Sequence, residues 1–220
     1  MINYFRKTIY LVVAIGFCVN SQAGSYEDFF SAITRDNAGE VTSLLKRGFD
    51  PNTPNPQGLH GLFLAVREPS PKVAEVLIAW PKTEVESRSA QDESPLMLAA
   101  LKGQLDLVKK LIERGADVNK TGWTPLHYAS TNGHLEVINL LLENHAYIDA
   151  ESPNGTTPLM MAAQYGPATA VKLLLEAGAD PALKNQLGLN AIDFAQKADR
   201  KDAAELIAAF RRSQQPKGKW

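Results

Sequence analysis

Residues 122–145 read GWTPLHYASTNGHLEVINLLLENH, and the spelling of this stretch decides the fold. Thr124 is suited to cap a helix with its hydroxyl, and Pro125 suits the first helical position, where no amide hydrogen is needed. Leu126 and Ala129 then face inward along a short first helix. Gly133 follows at a place that favours a left-handed backbone turn. Beyond it, Val137, Ile138, Leu140, Leu141 and Leu142 give a second helix an apolar side at helical spacing. The stretch therefore predicts two antiparallel helices. A pair this small cannot bury its own apolar faces, so it requires a similar pair on each side.

Those neighbours can be read in the chain. Pro95, Pro125 and Pro158 open first helices in Ser94-Pro-Leu-Met-Leu-Ala-Ala, Thr124-Pro-Leu-His-Tyr-Ala-Ser and Thr157-Pro-Leu-Met-Met-Ala-Ala, while Gly61 and Ala191 hold the same place in weaker copies. Loop ends recur as Arg47-Gly-Phe-Asp, Arg114-Gly-Ala-Asp, Asn144-His-Ala-Tyr and Ala177-Gly-Ala-Asp. The first copy, from Tyr26, lacks the Thr-Pro start but keeps Phe29, Phe30, Ala32, Val41, Leu44 and Leu45 at matching offsets, as an N-terminal cap would. The last copy, from Asn190 to Phe210, is rich in charge, as a terminal repeat must be when one face meets water.

With a period near 33 residues, the three central copies resemble ankyrin repeats, and the resemblance extends over residues 26–212. It implies an all-α ankyrin-repeat solenoid of about six helix-turn-helix units with short hairpin fingers. The units fall near 26–54, 55–88, 89–120, 121–150, 151–184 and 185–212, followed by a polar tail over 213–220 that reads as disordered. It also implies recognition of a protein partner on a concave side formed by fingers and first helices.

Two departures from the pattern carry expectations of their own. The spacing from Pro95 to Pro125 is 30 residues against 33 from Pro125 to Pro158, so the finger at 119–124 should be stunted. Pro69, Pro71 and Pro81 replace glycine positions in the second unit, which predicts a distorted start to its second helix and a stiff exit.

At the N-terminus, Arg6 and Lys7 precede the apolar run Ile9 to Val19, and Ser21-Gln22-Ala23 offers small residues for cleavage. Residues 1–23 therefore read as a signal peptide, with the mature chain beginning at Gly24 in a periplasmic or secreted location. A membrane-anchored lipoprotein through Cys18 is the competing reading, disfavoured because Phe17 is too large for that cleavage site. Removing this segment moves the formal charge from −1 to −3 and takes away the one cysteine. No disulfide framework is then available, so stacked core must supply the stability. No cluster of Lys or Arg interleaved with aromatics marks a nucleic-acid face, and after signal removal no segment calls for membrane insertion. A monomer is expected.

No G-x-S-x-G, P-loop or G-x-G-x-x-G motif occurs, so no catalytic or cofactor-binding residue is assigned. His60, His127, His134 and His145 lack the spacing of a metal set. In ankyrin repeats, the places of His127 and His134 are used for backbone hydrogen bonds between units, and His145 stands where other units have glycine. The sequons Asn119-Lys-Thr121 and Asn154-Gly-Thr156 both fall in fingers, where they read as turn residues.

The resemblance places variable, solvent-directed positions just before each Thr-Pro start and just before each interhelix glycine. Here these are Leu59, Glu93, Trp123, Thr156 and Leu189 from the fingers. Arg67, Glu68, Leu101, Lys102, Thr131, Asn132, Gln164 and Tyr165 come from the first helices. The expected function is a non-enzymatic protein-interaction scaffold. The signal peptide adds a resemblance to exported bacterial ankyrin proteins, some of them linked to catalase and oxidative-stress protection. Two alternatives are an immunity or inhibitor protein that blocks a toxin or enzyme, and an enzyme with an unrecognised site. The second is disfavoured because an open concave face offers no deep, water-excluding pocket.

Overall fold

A computed structural model describes residues 24–214, so the segment 1–23 read as a signal peptide and residues 215–220 of the expected tail lie outside the described residues. The described residues contain twelve helices in six successive pairs and no strand longer than the single antiparallel bridge of Pro54 with His60. None of these helices is long and apolar enough to cross a membrane. Two compact units divide the chain after Glu84.

The first unit holds α1 (24–34), α2 (Ala38–Lys46), α3 (Gly61–Arg67) and α4 (Pro71–Ala79). Its core gathers Phe29, Ile33, Val41, Leu44, Leu62, Val73 and Leu77, and the ring of Phe29 lies 4.6 Å from that of Phe49. The expected distortion of the second helix is absent. Pro71 sits at the first helical position, where its fixed φ and missing N–H cost nothing, and α4 runs a regular 9 residues. The effect of Pro69 falls instead on Glu68, whose extended backbone (ψ 162°) ends α3. Gly61 takes the place of the helix-opening proline for a packing reason. A Cβ there would stand 2.7 Å from the Phe29 ring.

The second unit holds α5 (Pro95–Leu101), α6 (Leu105–Glu113), α7 (Pro125–Asn132), α8 (Leu135–Glu143), α9 (Pro158–Tyr165), α10 (Ala168–Glu176), α11 (Ala191–Lys197) and α12 (Lys201–Gln214). The last helix therefore includes Ser213 and Gln214, the first two residues expected in the tail. First helices pack on first helices, α5 on α7 on α9 on α11, and second helices form a parallel rank from α6 to α12. The second helices bury a helical stripe, as with Leu107, Val108 and Leu111 of α6 or Val137, Ile138 and Leu141 of α8. Leu140 and Leu142, read from the sequence as part of that stripe, are half-buried at its edge.

Capping follows the residue types. Ser94 Oγ accepts the Met97 amide at 3.2 Å, Thr157 Oγ1 accepts that of Met160 at 3.4 Å, and Asn190 Oδ1 accepts those of Ile192 and Asp193. Thr124 departs from this use, because its hydroxyl meets the His127 ring 2.9 Å away. Gly133 adopts the expected left-handed conformation, φ 68°, whereas Gly166 is extended because Pro167 follows it.

Backbone amides are also stitched from one helix pair to the next by side-chain oxygens. Asn52 Oδ1 accepts Glu84 N–H in the first unit; Glu86 accepts Asp117 N–H, Asn119 accepts Tyr147 N–H and Asp149 accepts Asp180 N–H in the second. A second set of stitches starts where the later helices begin. Ser70 Oγ donates to Ile33 O at 2.7 Å, His134 Nε2 to Leu101 O at 2.9 Å and Arg200 Nη1 to Gly166 O at 2.6 Å.

Candidate interaction groove

Four fingers share one turn, and its chemistry is local. In those starting at Asn55, Ser89, Ser152 and Asn185, the first residue donates its N–H to the carbonyl four residues on. Its side-chain oxygen accepts a backbone N–H from the same turn, for example Asn185 Oδ1 from Leu187 N at 3.0 Å and Leu189 N at 3.1 Å. The fourth residue has positive φ: Gly58, Asp92, Gly155 and Gly188.

The finger at 119–124 is stunted, and lacks this closed turn. Its Asn119 is drawn away, with Nδ2 donating to His145 O at 2.7 Å and Oδ1 accepting from Tyr147 N at 2.8 Å. Lys120 braces the gap instead. Its ammonium pairs with Asp92 and donates to Thr121 O at 3.0 Å and Trp123 O at 3.3 Å. That hydrogen bond holds the Asp92 carboxyl below the usual range.

His127, fully buried, lies beneath this finger. Thr124 N–H donates to Nδ1 at 3.1 Å, and the Thr124 hydroxyl stands 2.9 Å from the same atom. Nδ1 is therefore an acceptor, which puts the proton on Nε2 to donate to Thr156 O at 2.9 Å. Burial pushes the imidazole pKa down to about 4, so the ring is neutral at pH 7. His145 occupies the left-handed region expected of it, φ 65°. Among the described residues no group of three His, Cys, Asp or Glu side chains is placed to hold a metal ion.

A groove of about 320 Å3 opens between the fingers and first helices of the second unit. It is lined by Trp123, Thr156, Gln164, Tyr165 and Leu189 from the positions read in the sequence, joined by Asn154, Met161, Asn185, Leu187, Phe194 and Lys197. Tyr165 is 58% exposed and Leu187 77%. Trp123 is half-buried, its ring edge-on to His127 with centroids 5.2 Å apart. It therefore both fills the space under the stunted finger and forms one wall.

Other positions read as solvent-directed are placed differently. Leu59 and Thr156 are buried. Thr156 is held inward because its carbonyl accepts from His127 and its N–H donates to Ser152 Oγ. Leu59 is turned in by the bonds that Asn55 makes to both its amide and its carbonyl. In the first unit, exposed Arg67 pairs with its neighbour Glu68 at 3.2 Å. In the second unit, Lys102 is exposed and Leu101 half-buried. Thr131 donates to His127 O and Asn132 to Leu101 O, so both side chains are spent on the scaffold. Glu93 accepts from the Tyr128 hydroxyl at 2.9 Å.

Leu187 was missing from the sequence reading, although a signal was available. The matching turn-tip positions elsewhere are polar, Gln57, Gln91 and Asn154, and a leucine at a tip has no core to enter.

Paired helices repeated in register, with fingers closing a groove against the first helices, define a helical-repeat binding scaffold. The chain belongs to the ankyrin-repeat family: a model of ankyrin repeats in three copies matches residues 29–121 and 62–152, and one of many copies matches residues 145–195. Ankyrin repeats in general mediate protein–protein interaction and are not themselves catalytic.

Similar proteins include the Mus musculus ankyrin repeat and SAM domain-containing protein 6, 38% identical over 133 residues, which are 58% of this chain and 14% of that protein. The Gallus gallus nuclear factor NF-kappa-B p105 subunit is 32% identical over 161 residues, 70% of this chain and 16% of the relative. The Mus musculus 2-5A-dependent ribonuclease is 41% identical over 76 residues, 33% of this chain and 10% of the enzyme. The chain thus spans a sixth or less of each of these relatives' lengths.

Proposed function

We propose that the chain is a non-enzymatic protein-interaction module, exported through the segment 1–23 to the periplasm or beyond, that binds a protein partner in the groove between Trp123 and Lys197. The observation that carries the reading is the exposure of Tyr165 and Leu187 on the walls of that groove. The fold needs neither side chain buried, and large apolar surface at such positions is characteristic of binding hot spots. The partner class is protein, with no nucleic acid, and the module acts as a monomer. The reading extends to oxidative-stress, catalase-linked protection, and its support is the resemblance to exported bacterial ankyrin proteins, some of which are linked to it.

The test is capture from periplasmic extract by the wild-type chain and by a Tyr165→Ala, Leu187→Ala variant, with thermal melting of both. One protein retained by the wild type and lost by an equally stable variant supports the reading. Equal capture by both would place recognition elsewhere. N-terminal sequencing of extracellular or periplasmic material should begin at Gly24, and an intact Met1 chain recovered only from cytoplasm would remove the export part of the proposal.

A further inference from the structure

The groove has an electrostatic asymmetry that bears on what occupies it. Its lining is largely apolar, Trp123, Met161, Tyr165, Leu187, Leu189 and Phe194, with amide groups at the edge. Lys197, at the last position of α11, is the one charged residue among those lining it. It is exposed, and its ammonium has no ion pair or hydrogen bond among the described residues. The acid one turn earlier on the same helix, Asp193, is engaged, with Oδ2 accepting from Asn190 N–H at 2.8 Å. The nearest parallel, Lys120 beneath the neighbouring finger, is fully committed to Asp92 and two carbonyls. Gln164 on the α9 side likewise has no partner among the described residues, leaving an amide able to meet a peptide backbone.

From this, and resting on the protein-binding reading above, we propose that the groove takes an extended partner segment in which a large apolar side chain stands beside a carboxylate, the carboxylate pairing with Lys197. The groove volume is at the low end of the roughly 300–1,000 Å3 typical of ligand sites, room for one bulky side chain and its neighbour. An open groove suits a segment of chain. A free ammonium beside apolar walls favours an anion over a cation, and desolvation of the pair by the bound side chain strengthens that preference.

The experiment uses the full chain and a library of short synthetic peptides with Phe, Trp or Leu fixed at the centre and acidic, neutral or basic residues at each flanking position. Wild type should retain acid-flanked peptides about two- to fivefold better than base-flanked ones, the range of an exposed ion pair. Lys197→Glu should reverse that order with unchanged melting, and Tyr165→Ala should weaken all peptides alike. If binding depends on Tyr165 but shows no charge preference, or if the acid preference survives Lys197→Glu, the groove stands and the carboxylate pairing is overturned. If no peptide binds, or binding ignores both substitutions, the groove reading falls and the pairing with it. Light scattering at the same concentrations covers self-association. A dimer abolished by Tyr165→Ala would make a second copy the occupant and overturn the proposal.

Discussion

The His127 ring and the Thr156 carbonyl meet at 2.9 Å, tying α7 to the finger of the following helix pair across 29 residues of sequence. Because Nδ1 also accepts the Thr124 amide, one buried side chain satisfies polar groups from two repeats. Its removal leaves those groups unpaired and creates a void. His127→Ala should lower stability by at least about 1 kcal/mol, measured as a fall in the denaturant midpoint, with no change on adding zinc or chelator. Thr124→Ala should cost about 1 kcal/mol, since it removes the hydroxyl from Nδ1 while the backbone donor stays. An unchanged midpoint for His127→Ala, or a loss of bound metal, would overturn this account.

The same ring makes stability depend on pH. Its pKa falls from the ordinary 6.5 to about 4 in the folded chain, so the unfolded chain binds more protons between those values. Stability from this group is complete above pH 6.5 and is lost as pH falls toward 4, by about 3 kcal/mol in all. Burial raises the pKa of Glu86 above its ordinary 4.5 and that of Asp149 above its ordinary 3.8, which gives an opposite slope overlapping the same pH range, but both groups remain in a His127→Ala variant. Subtracting the variant's pH profile from that of wild type therefore isolates the histidine. A difference that does not change between pH 7 and 4 would show that the ring titrates alike folded and unfolded.

The helix-pair architecture was legible because each Ser/Thr-Pro start, each interhelix glycine and each apolar stripe is dictated by chemistry within a few residues. Part of what was not legible depended on a contact about one repeat away, and part on local competition for a hydroxyl or on helix register. The sequence marks Thr156 as variable and exposed, but His127 pulls its carbonyl inward. Thr124 reads as an ordinary cap, but the histidine three residues on intercepts its hydroxyl. Pro71 reads as a disruption until its register shows that it opens α4. The groove was half legible: Trp123, Gln164, Tyr165 and Leu189 follow from repeat positions, Leu187 is marked by an apolar residue at a turn tip, and Lys197 joins them only through the folding of a weaker copy.

In the first unit, Gly61 is a packing residue. A Cβ would sit 2.7 Å from two Phe29 ring atoms and 3.2 Å from the end of Ile33, and all three residues are buried. Gly61→Ala should destabilise by about 1–3 kcal/mol through overpacking. Restoring the family's usual proline at this position should do no better. Gly39→Ala provides the contrast, since its Cβ meets only Asn37 at an ordinary 3.6 Å and the site lies within α2. That substitution should be neutral or stabilising by up to about 1 kcal/mol. Equal midpoints for the two variants would remove the packing argument.

The link that Asn119 makes from the stunted finger to the next helix pair is separable into donor and acceptor. Asn119→Asp keeps an oxygen for Tyr147 N–H but loses the donor to His145 O, while Asn119→Ala loses both. The expected order of stability is wild type, Asp, then Ala, with each lost bond costing about 1 kcal/mol. Amide hydrogen exchange at Tyr147 gives the local readout. It should quicken strongly in the alanine variant and little in the aspartate variant, and the reverse order would contradict the assigned roles of the two side-chain atoms.

Trp123 and Tyr165 both line the groove but are held differently, so substituting each separates scaffold from recognition. Trp123 is half-buried, packs edge-on to His127 and belongs to a finger whose carbonyl is bonded by Lys120. Tyr165, at the end of α9, is more than half exposed and has no ring partner among the described aromatic pairs. Trp123→Ala should therefore lower the midpoint by about 1–3 kcal/mol, less than a fully buried aromatic because part of the ring already meets solvent. Tyr165→Ala should stay within about 0.5 kcal/mol of wild type. For the partner, both should weaken binding by about 1–4 kcal/mol when assayed well below the melting range. Binding lost with Trp123→Ala and retained with Tyr165→Ala would mean that the tryptophan acts through the finger it supports, and that the open groove is not the recognition surface.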